Sequence, residues 1–387
     1  MAPKAVVQIS REDLGNGDDG AAMIESVRHL ASYSWIEVEN PTIAVPGIPP
    51  RWSPPDIPTK LQKDTGLVYI AQNAARNPTS PLEPLLRSLY VSSPDFDIRE
   101  FDIITDRNNI RKLLMFIDPS SSRNRLENFT VNAEVIGNTI LFNRTETETF
   151  EIIGPAEFKG FGHEFEKTYT HRQLPNSTGH HRVISYRFGG LRLIVRHELD
   201  GYVSQPTATS SKLEGDKTEA DGLVGPLESL SLSATNKRPK KVWTFSPVES
   251  KMSIRQEGIE VPLDSTLEIK TRVIHKPLNI HEIAPQIWAS QTPNLVRAYH
   301  HRGLFSKPKV EDVREEVKSW ELSNQKHLKR LVALIKAIVT AVRECGGKAA
   351  IQYDEAIDKI TVVPMVDAGL MLPKDLYSKW GKPGERA

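Results

Sequence analysis

Two short triplets hold residues that could do chemistry together, Glu198-Leu199-Asp200 and Glu268-Ile269-Lys270. Each follows a strand-like apolar run, L-R-L-I-V before the first and T-L before the second. Side chains alternate between faces along a strand, so Glu198 and Asp200 project to one side with Leu199 opposite them. Glu268 and Lys270 do the same around Ile269. If the two strands pair, three carboxylates and one ammonium gather on one face. Three like charges repel unless cations neutralise them, and hard oxygen ligands in such a cluster favour Mg²⁺ or Mn²⁺. Ions held in this way activate water and stabilise a leaving oxygen, which is the chemistry of a phosphodiesterase. The lysine would orient or help deprotonate the attacking water and offset developing negative charge. Taken one at a time, such triplets are ordinary on solvated strand faces. Their joint occurrence behind apolar runs is what points to a site.

The elements that must position these residues are legible in outline. The chain has 387 residues, 39% of them hydrophobic, which is enough for a sizeable core. Residues 1–35 are polar and Gly/Asp-rich and read as a flexible N-terminus, and the proline-rich 40–60 stretch reads as an extended wrapping over a surface. L-E-P-L-L-R-S-L-Y predicts a helix, F-D-I-I-T-D-R-N-N-I-R-K-L-L-M-F-I leads into another, and E-T-F-E-I-I-G predicts a strand. G-L-R-L-I-V-R-H-E-L-D-G-Y and S-T-L-E-I-K-T-R-V-I are strong strands. Between them, 204–241 turns to Ser, Thr, Gly, Asp and Lys, too poor in large apolar residues to offset its own ordering entropy, and reads as a disordered insert. Leu328, Val332, Ile335, Val339 and Val342, flanked by a second stripe of Leu331, Leu334 and Ile338, predict one buried helix within Val310–Arg343. K-A-A-I-Q-Y-D and D-K-I-T-V-V-P-M then predict two short strands. The expected architecture is a single mixed α/β domain over 36–375, with a central mixed β-sheet region flanked by helices and a flexible tail at 376–387.

Four motifs resemble, in order, those of the DXO/Rai family of RNA 5′-end decapping nucleases, whose core is of the PD-(D/E)xK type. G-H-E-F-E at 162–166 resembles the family's Gly-Φ-x-Φ-Glu, H-E-L-D-G its Glu-x-Asp and L-E-I-K-T its Glu-Φ-Lys, while D-I-I-T-D-R-N-N-I-R-K-L-L resembles its early arginine motif. W-A-S-Q-T-P-N-L-V-R-A-Y is similar to the span after Glu-Φ-Lys, and the likeness runs over roughly 85–365. The resemblance implies that Glu166, Glu198, Asp200, Glu268 and the Ile269 backbone carbonyl hold two Mg²⁺ or Mn²⁺ ions, with Lys270 beside the nucleophilic water. Lys270, Glu268 and Asp200 would then be catalytic, and Arg107 and Gln291 would contact RNA phosphates. It implies removal of triphosphate, incompletely methylated or nucleotide-metabolite caps, in some members followed by 5′-to-3′ digestion. His163 and Asp106 depart from the residues usual at their motif positions, and bear on cap selectivity and processivity and not on the ion ligands.

Net charge is +1, with 50 basic and 49 acidic residues, so a basic surface for RNA must be local. The single cysteine, Cys345, excludes an intramolecular disulfide framework and a Cys-rich zinc site. No run of ~20 apolar residues crosses a membrane. Lys-Arg-Pro-Lys-Lys at 237–241 is either a nuclear-localisation or RNA-backbone patch or a solvated loop end. The location expected is nuclear, cytoplasmic or both. His163, His171, His180 and His181 fit no zinc spacing, and Trp52, Trp243 and Trp288 read as packing residues more readily than as base-stacking ones. Two other functions compete with RNA 5′-end hydrolysis: a partner that stabilises a 5′-to-3′ exoribonuclease, and a DNA-directed nuclease of the same superfamily.

Overall fold

A computed structural model of the chain describes residues 6–15, 20–121, 124–204, 242–244, 250, 252–366 and 368–381. The insert expected at 204–241, apart from Ser204, and the basic run at 237–241 lie outside the described residues.

The fold is mixed α/β, built on a twelve-stranded and an eight-stranded sheet. In the larger sheet Leu191–Glu198 lies parallel to Ile103–Asp106 on one side and antiparallel to Ser177–Phe188 on the other. The hairpin joining Ser177–Phe188 to Leu191–Glu198 turns on Gly189 and Gly190, both at positive φ, the backbone that a tight hairpin requires. A Cβ on Gly189 would also come within 2.3 Å of Val332. Both faces of these central strands are covered, and the period of two sorts the side chains. Ile103, Leu193 and Val195 pack into a core shared with Ile110, Trp288 and Leu331 of three different helices. Ile104 and Ile194 face the opposite way, onto Leu85, Leu86 and Leu89 of the Glu83–Ser92 helix. A strand buried on both faces reads as an unbroken apolar run, and L-I-V is that run.

The smaller sheet contains Thr266–Val273 and Asn294–His301 as parallel neighbours, joined through the Ile280–Ser290 helix in a βαβ unit. The Gly162–Tyr169 helix lies on it through Phe165 and Tyr169, whose rings stack four residues apart against Leu267, Ile269, Val296 and Phe305. The chain passes from the larger sheet to the smaller at Leu199-Asp200, because Leu191–Glu198 belongs to the first and Gly201–Tyr202 to the second.

Several expectations are corrected. The N-terminus is not a loose leader up to residue 35: Val7–Ile9 is an edge strand, and Ile24–Ile36 pairs with both Ser177–Phe188 and Thr42–Gly47 inside the larger sheet. The first half of that strand is rich in polar side chains, which hides it from a hydrophobicity pattern; partners far along the chain make it a strand. Thr42–Gly47, expected as a wrapping, is paired on both sides, and Thr42 to Val45 are buried. The helix expected within 310–343 is two, Arg314–Ser323 and Gln325–Glu344, meeting at Asn324. At the C-terminus Lys374–Tyr377 is helical, and Leu376 is buried against Leu85 and its neighbours. The strands bearing Glu198 and Glu268 do not pair. Gly201–Tyr202 pairs with Thr266 and Leu267, which delivers the two acidic strands to one place from different sheets.

Candidate active site

The seam between the sheets is where the acids meet. Glu198 ends its strand, Leu199 is buried and donates its N–H to the His180 carbonyl at 2.9 Å, and Asp200 follows in the link. Leu199 is thus anchored inward while its two acidic neighbours face the site, as the alternation expected. Gly201–Tyr202 covers the edge of Thr266–Val273 only as far as Leu267. Beyond that point the Asp200 carboxylate replaces the missing strand and accepts the Ile269 N–H at 2.7 Å. The N–H and C=O of one extended residue point to the same edge, so the Ile269 carbonyl faces Asp200 too.

Glu268 is the buried centre, 1% exposed. Its Oε2 accepts from Arg107 Nη1 at 3.0 Å, and its Oε1 accepts from Lys270 Nζ at 2.5 Å and from the Gln286 amide. Burial alone would raise its pKa, but Lys270 and Arg107 overcome this and hold the carboxyl down at about 2. Lys270 answers in kind: burial favours its neutral form, yet Glu268 and then Asp200 keep its pKa above the ordinary lysine value. Arg107 opens the Arg107–Ile117 helix, directly after the Ile103–Asp106 strand.

The other acids have no such partners. Burial and the charge of Glu268 push Asp200 up to about 7. Glu166, half-buried on the Gly162–Tyr169 helix, is raised well above the carboxylate range by burial and then by Asp200 and Glu198. Glu198 is raised by the surrounding protein and by Glu268 and lowered by Arg107, while its side chain still meets solvent in the pocket it borders. Four carboxylates therefore share two cations. As they stand, Glu268 is turned onto its three donors and Asp200 onto an amide, and among the described residues no three acid, His or Cys side chains already converge on one ion position. The donor set nonetheless fits a divalent cation: hard oxygens, in excess of their counter-charge, with Asp200 at about 7 and Glu166 and Glu198 also raised by burial and neighbouring carboxylates.

Of the residues singled out in the sequence, Glu166, Glu198, Asp200, Glu268, Ile269, Lys270 and Arg107 are brought together. Gln291 is not. It terminates the Ile280–Ser290 helix in a left-handed conformation, donates to the Trp288 carbonyl at 2.6 Å and lines a separate pocket with Trp288, Met23 and Arg314. Gln286 takes its place at Glu268. The two glutamines are five residues apart, about 140° around a helix, so they face different surroundings. Asp106 also acquires a purpose: both its oxygens accept from Arg196, at 2.6 and 2.9 Å. The histidines are dispersed, His163 and His171 exposed, His180 on Ser34 Oγ and His181 on Gln72. Trp288 is core and Trp52 leans on Phe165 and Tyr169.

The family described as Domain of unknown function (DUF8563) matches residues 5–380. No curated protein matches the sequence. Solved structures do match in fold. Rai1 of Candida albicans in complex with pU5-Mn²⁺ is 13% identical with a TM-score of 0.60, over 97% of this chain and 99% of that one. Rai1 of S. pombe is 12% identical with a TM-score of 0.57, over 94% and 100%. Dxo1 of K. lactis in complex with manganese is 9% identical with a TM-score of 0.54, over 95% and 100%. The DXO/Rai resemblance carried by four short motifs is thus matched by a likeness of fold over nearly the whole chain, and the chain belongs to the DUF8563 family.

Proposed function

We propose that this protein is a divalent-metal-dependent hydrolase acting on RNA 5′ ends. The observation that carries the reading is the under-neutralised carboxylate cluster at the seam, with Lys270 and Arg107 built into it. Glu166, Glu198, Asp200, Glu268 and the Ile269 carbonyl are the residues to hold Mg²⁺ or Mn²⁺, which when bound would activate water and offset charge on the phosphoryl oxygens. The ammonium of Lys270 stays protonated at neutral pH beside Glu268 and Asp200, so it orients a water and balances developing charge and does not act as the base. Arg107 holds Glu268 with one guanidinium nitrogen, which leaves the rest of its donor fork for a phosphate at the start of a helix, where the dipole also favours an anion. Gln286 fixes Glu268 from the third side. The Candida albicans neighbour holds pU5 and Mn²⁺ and the K. lactis neighbour manganese, which supports RNA and a divalent ion as ligands of the same fold.

The test is incubation of the full chain and Mn²⁺ or Mg²⁺ with linear RNAs of defined 5′ ends, a circular RNA and a linear DNA. Cleavage should require the metal, begin at the RNA 5′ terminus and disappear in Glu268→Ala, with the circle intact. Glu268-dependent cutting of the circle would keep the metal chemistry and overturn the 5′-end reading. Preference for the DNA would make the chain a DNA nuclease.

A further inference from the structure

The Ile280–Ser290 helix, which turns Gln286 onto Glu268, also lines a different cavity with Ile287 and Trp288. None of the clustered carboxylates borders it. Its volume, about 320 Å³, lies within the roughly 300–1,000 Å³ of pockets that hold small organic molecules. Met23, Ile24, Leu263 and Val317, from three other parts of the chain, complete its apolar walls.

One acid is set among them. Glu321, 7% exposed, comes from the Arg314–Ser323 helix. Its Oε1 accepts from the Trp288 indole N–H at 2.7 Å and from the Ile24 N–H at 2.9 Å, so a helix and a strand together hold the carboxylate in place. Both bonds fall on one oxygen. Oε2 accepts from no described residue, and Glu321 has no ion pair among the described residues. The Trp288 ring is itself fixed, edge-on to Phe188 and tilted against Trp320 at 5.8 Å. The carboxylate is therefore held ready in a wall of hydrocarbon, with one oxygen unspent. A charge taken out of water without a counter-charge is costly, and a cation reaching Oε2 offsets part of that cost.

The two cations that line the cavity do not supply it. Arg314 is taken by Asp312, at 2.5 Å, and by Asp264, at 3.1 Å. Lys318 is exposed, three residues before Glu321 on the same helix, and pairs with no described acid. Residues at that spacing are neighbours on a helix surface, so Lys318 is the chain's own rival for Oε2.

We propose that this cavity binds a small organic amine, its ammonium on Glu321 and its hydrocarbon body against Trp288, Ile287 and Val317. Charge alone is insufficient because the walls are mostly apolar, and an apolar body alone leaves the carboxylate unpaired. The site stands or falls apart from the chemistry at the seam.

The full chain is titrated calorimetrically at neutral pH with phenethylamine, 2-phenylethanol, 3-phenylpropionate and spermidine. Phenethylamine should bind at least about tenfold more tightly than each of the other three, since it alone joins a cation to an apolar body. Glu321→Gln keeps an oxygen for Trp288 and Ile24 and removes the charge. It should weaken phenethylamine about tenfold and leave 2-phenylethanol unchanged. Lys318→Met alters an exposed side chain and takes away the rival cation, so it should tighten phenethylamine binding; this arm decides even where the Glu321 variant does not fold. No binding below about 1 mM, or 2-phenylethanol or 3-phenylpropionate binding as tightly as phenethylamine, would overturn the proposal. So would an affinity that survives Glu321→Gln or that Lys318→Met fails to tighten. Spermidine binding as tightly as phenethylamine would reduce Glu321 to an acid that attracts any cation, and would overturn it as well.

Discussion

Two buried charge clusters lie two residues apart on one strand, and they are built on opposite principles. At Arg196 everything is matched: its guanidinium meets Asp106 through two hydrogen bonds, the Pro81 carbonyl at 2.7 Å and the Tyr33 hydroxyl at 3.2 Å. At Glu198 and its companions, four acids share Lys270 and Arg107, and three of the acids have raised pKa values. A balanced network completes itself with protein groups and positions the strand. An unbalanced one gains stability from a counter-charge supplied from outside, and that is the physical mark of a site.

Substitutions that break each cluster should therefore move stability in different directions. Arg196→Met leaves the half-buried Asp106 without its partner and should destabilise the fold by about 1–3 kcal/mol, with or without metal. Chemical denaturation measures this, and a loss below about 1 kcal/mol would deny the network its structural part. Glu166→Gln removes one of the surplus acids and keeps the side chain's shape. The metal-free protein should be at least as stable as wild type, while the rise in melting temperature on adding Mn²⁺ should be lost. A Glu166→Gln protein that is less stable without metal and still stabilised by Mn²⁺ would place Glu166 among the structural groups.

The smallest effect is on pH. An acid whose folded pKa is raised binds more protons folded than unfolded, so stability falls as pH rises from its unfolded value and levels off above the folded one. With Asp200 at about 7 and Glu166 also raised, metal-free stability should decline between about pH 4 and 7. Glu268, held at about 2, works the other way: its contribution is present above its unfolded pKa and lost as pH falls below about 4. Denaturation midpoints across this range, compared with the same series in Asp200→Asn, isolate the decline. A flat metal-free profile would mean the acids are not crowded as described.

How much of this was legible in the sequence depends on where each piece of information is stored. L-R-L-I-V and T-L-E-I-K announce their strands because burial on one or both faces is written locally, and alternation alone places Glu198 with Asp200 and Glu268 with Lys270. The partner of each strand is a long-range fact. Ile24–Ile36 is invisible as a strand because Glu25, Arg28 and His29 interrupt its pattern and its neighbours lie near residues 42 and 180. For the same reason the sequence points to Gln291 while the structure puts Gln286 on Glu268: only the position of Glu268 against the Ile280–Ser290 helix says which phase of that helix matters. Asp106 shows itself as a structural partner only once Arg196 is seen beside it.

The central claim is that the surplus acids at the seam form a divalent-metal site, and calorimetric titration of Mn²⁺ into the full chain near pH 6.5 tests it most directly. Mn²⁺ should bind and expel protons held by Asp200, whose carboxyl is pushed up to about 7, so the apparent enthalpy should change with the ionisation heat of the buffer. Proton release should shrink in Asp200→Asn, and binding should vanish in Glu268→Ala. Binding that releases no protons, or that persists unchanged in Glu268→Ala, would contradict the account.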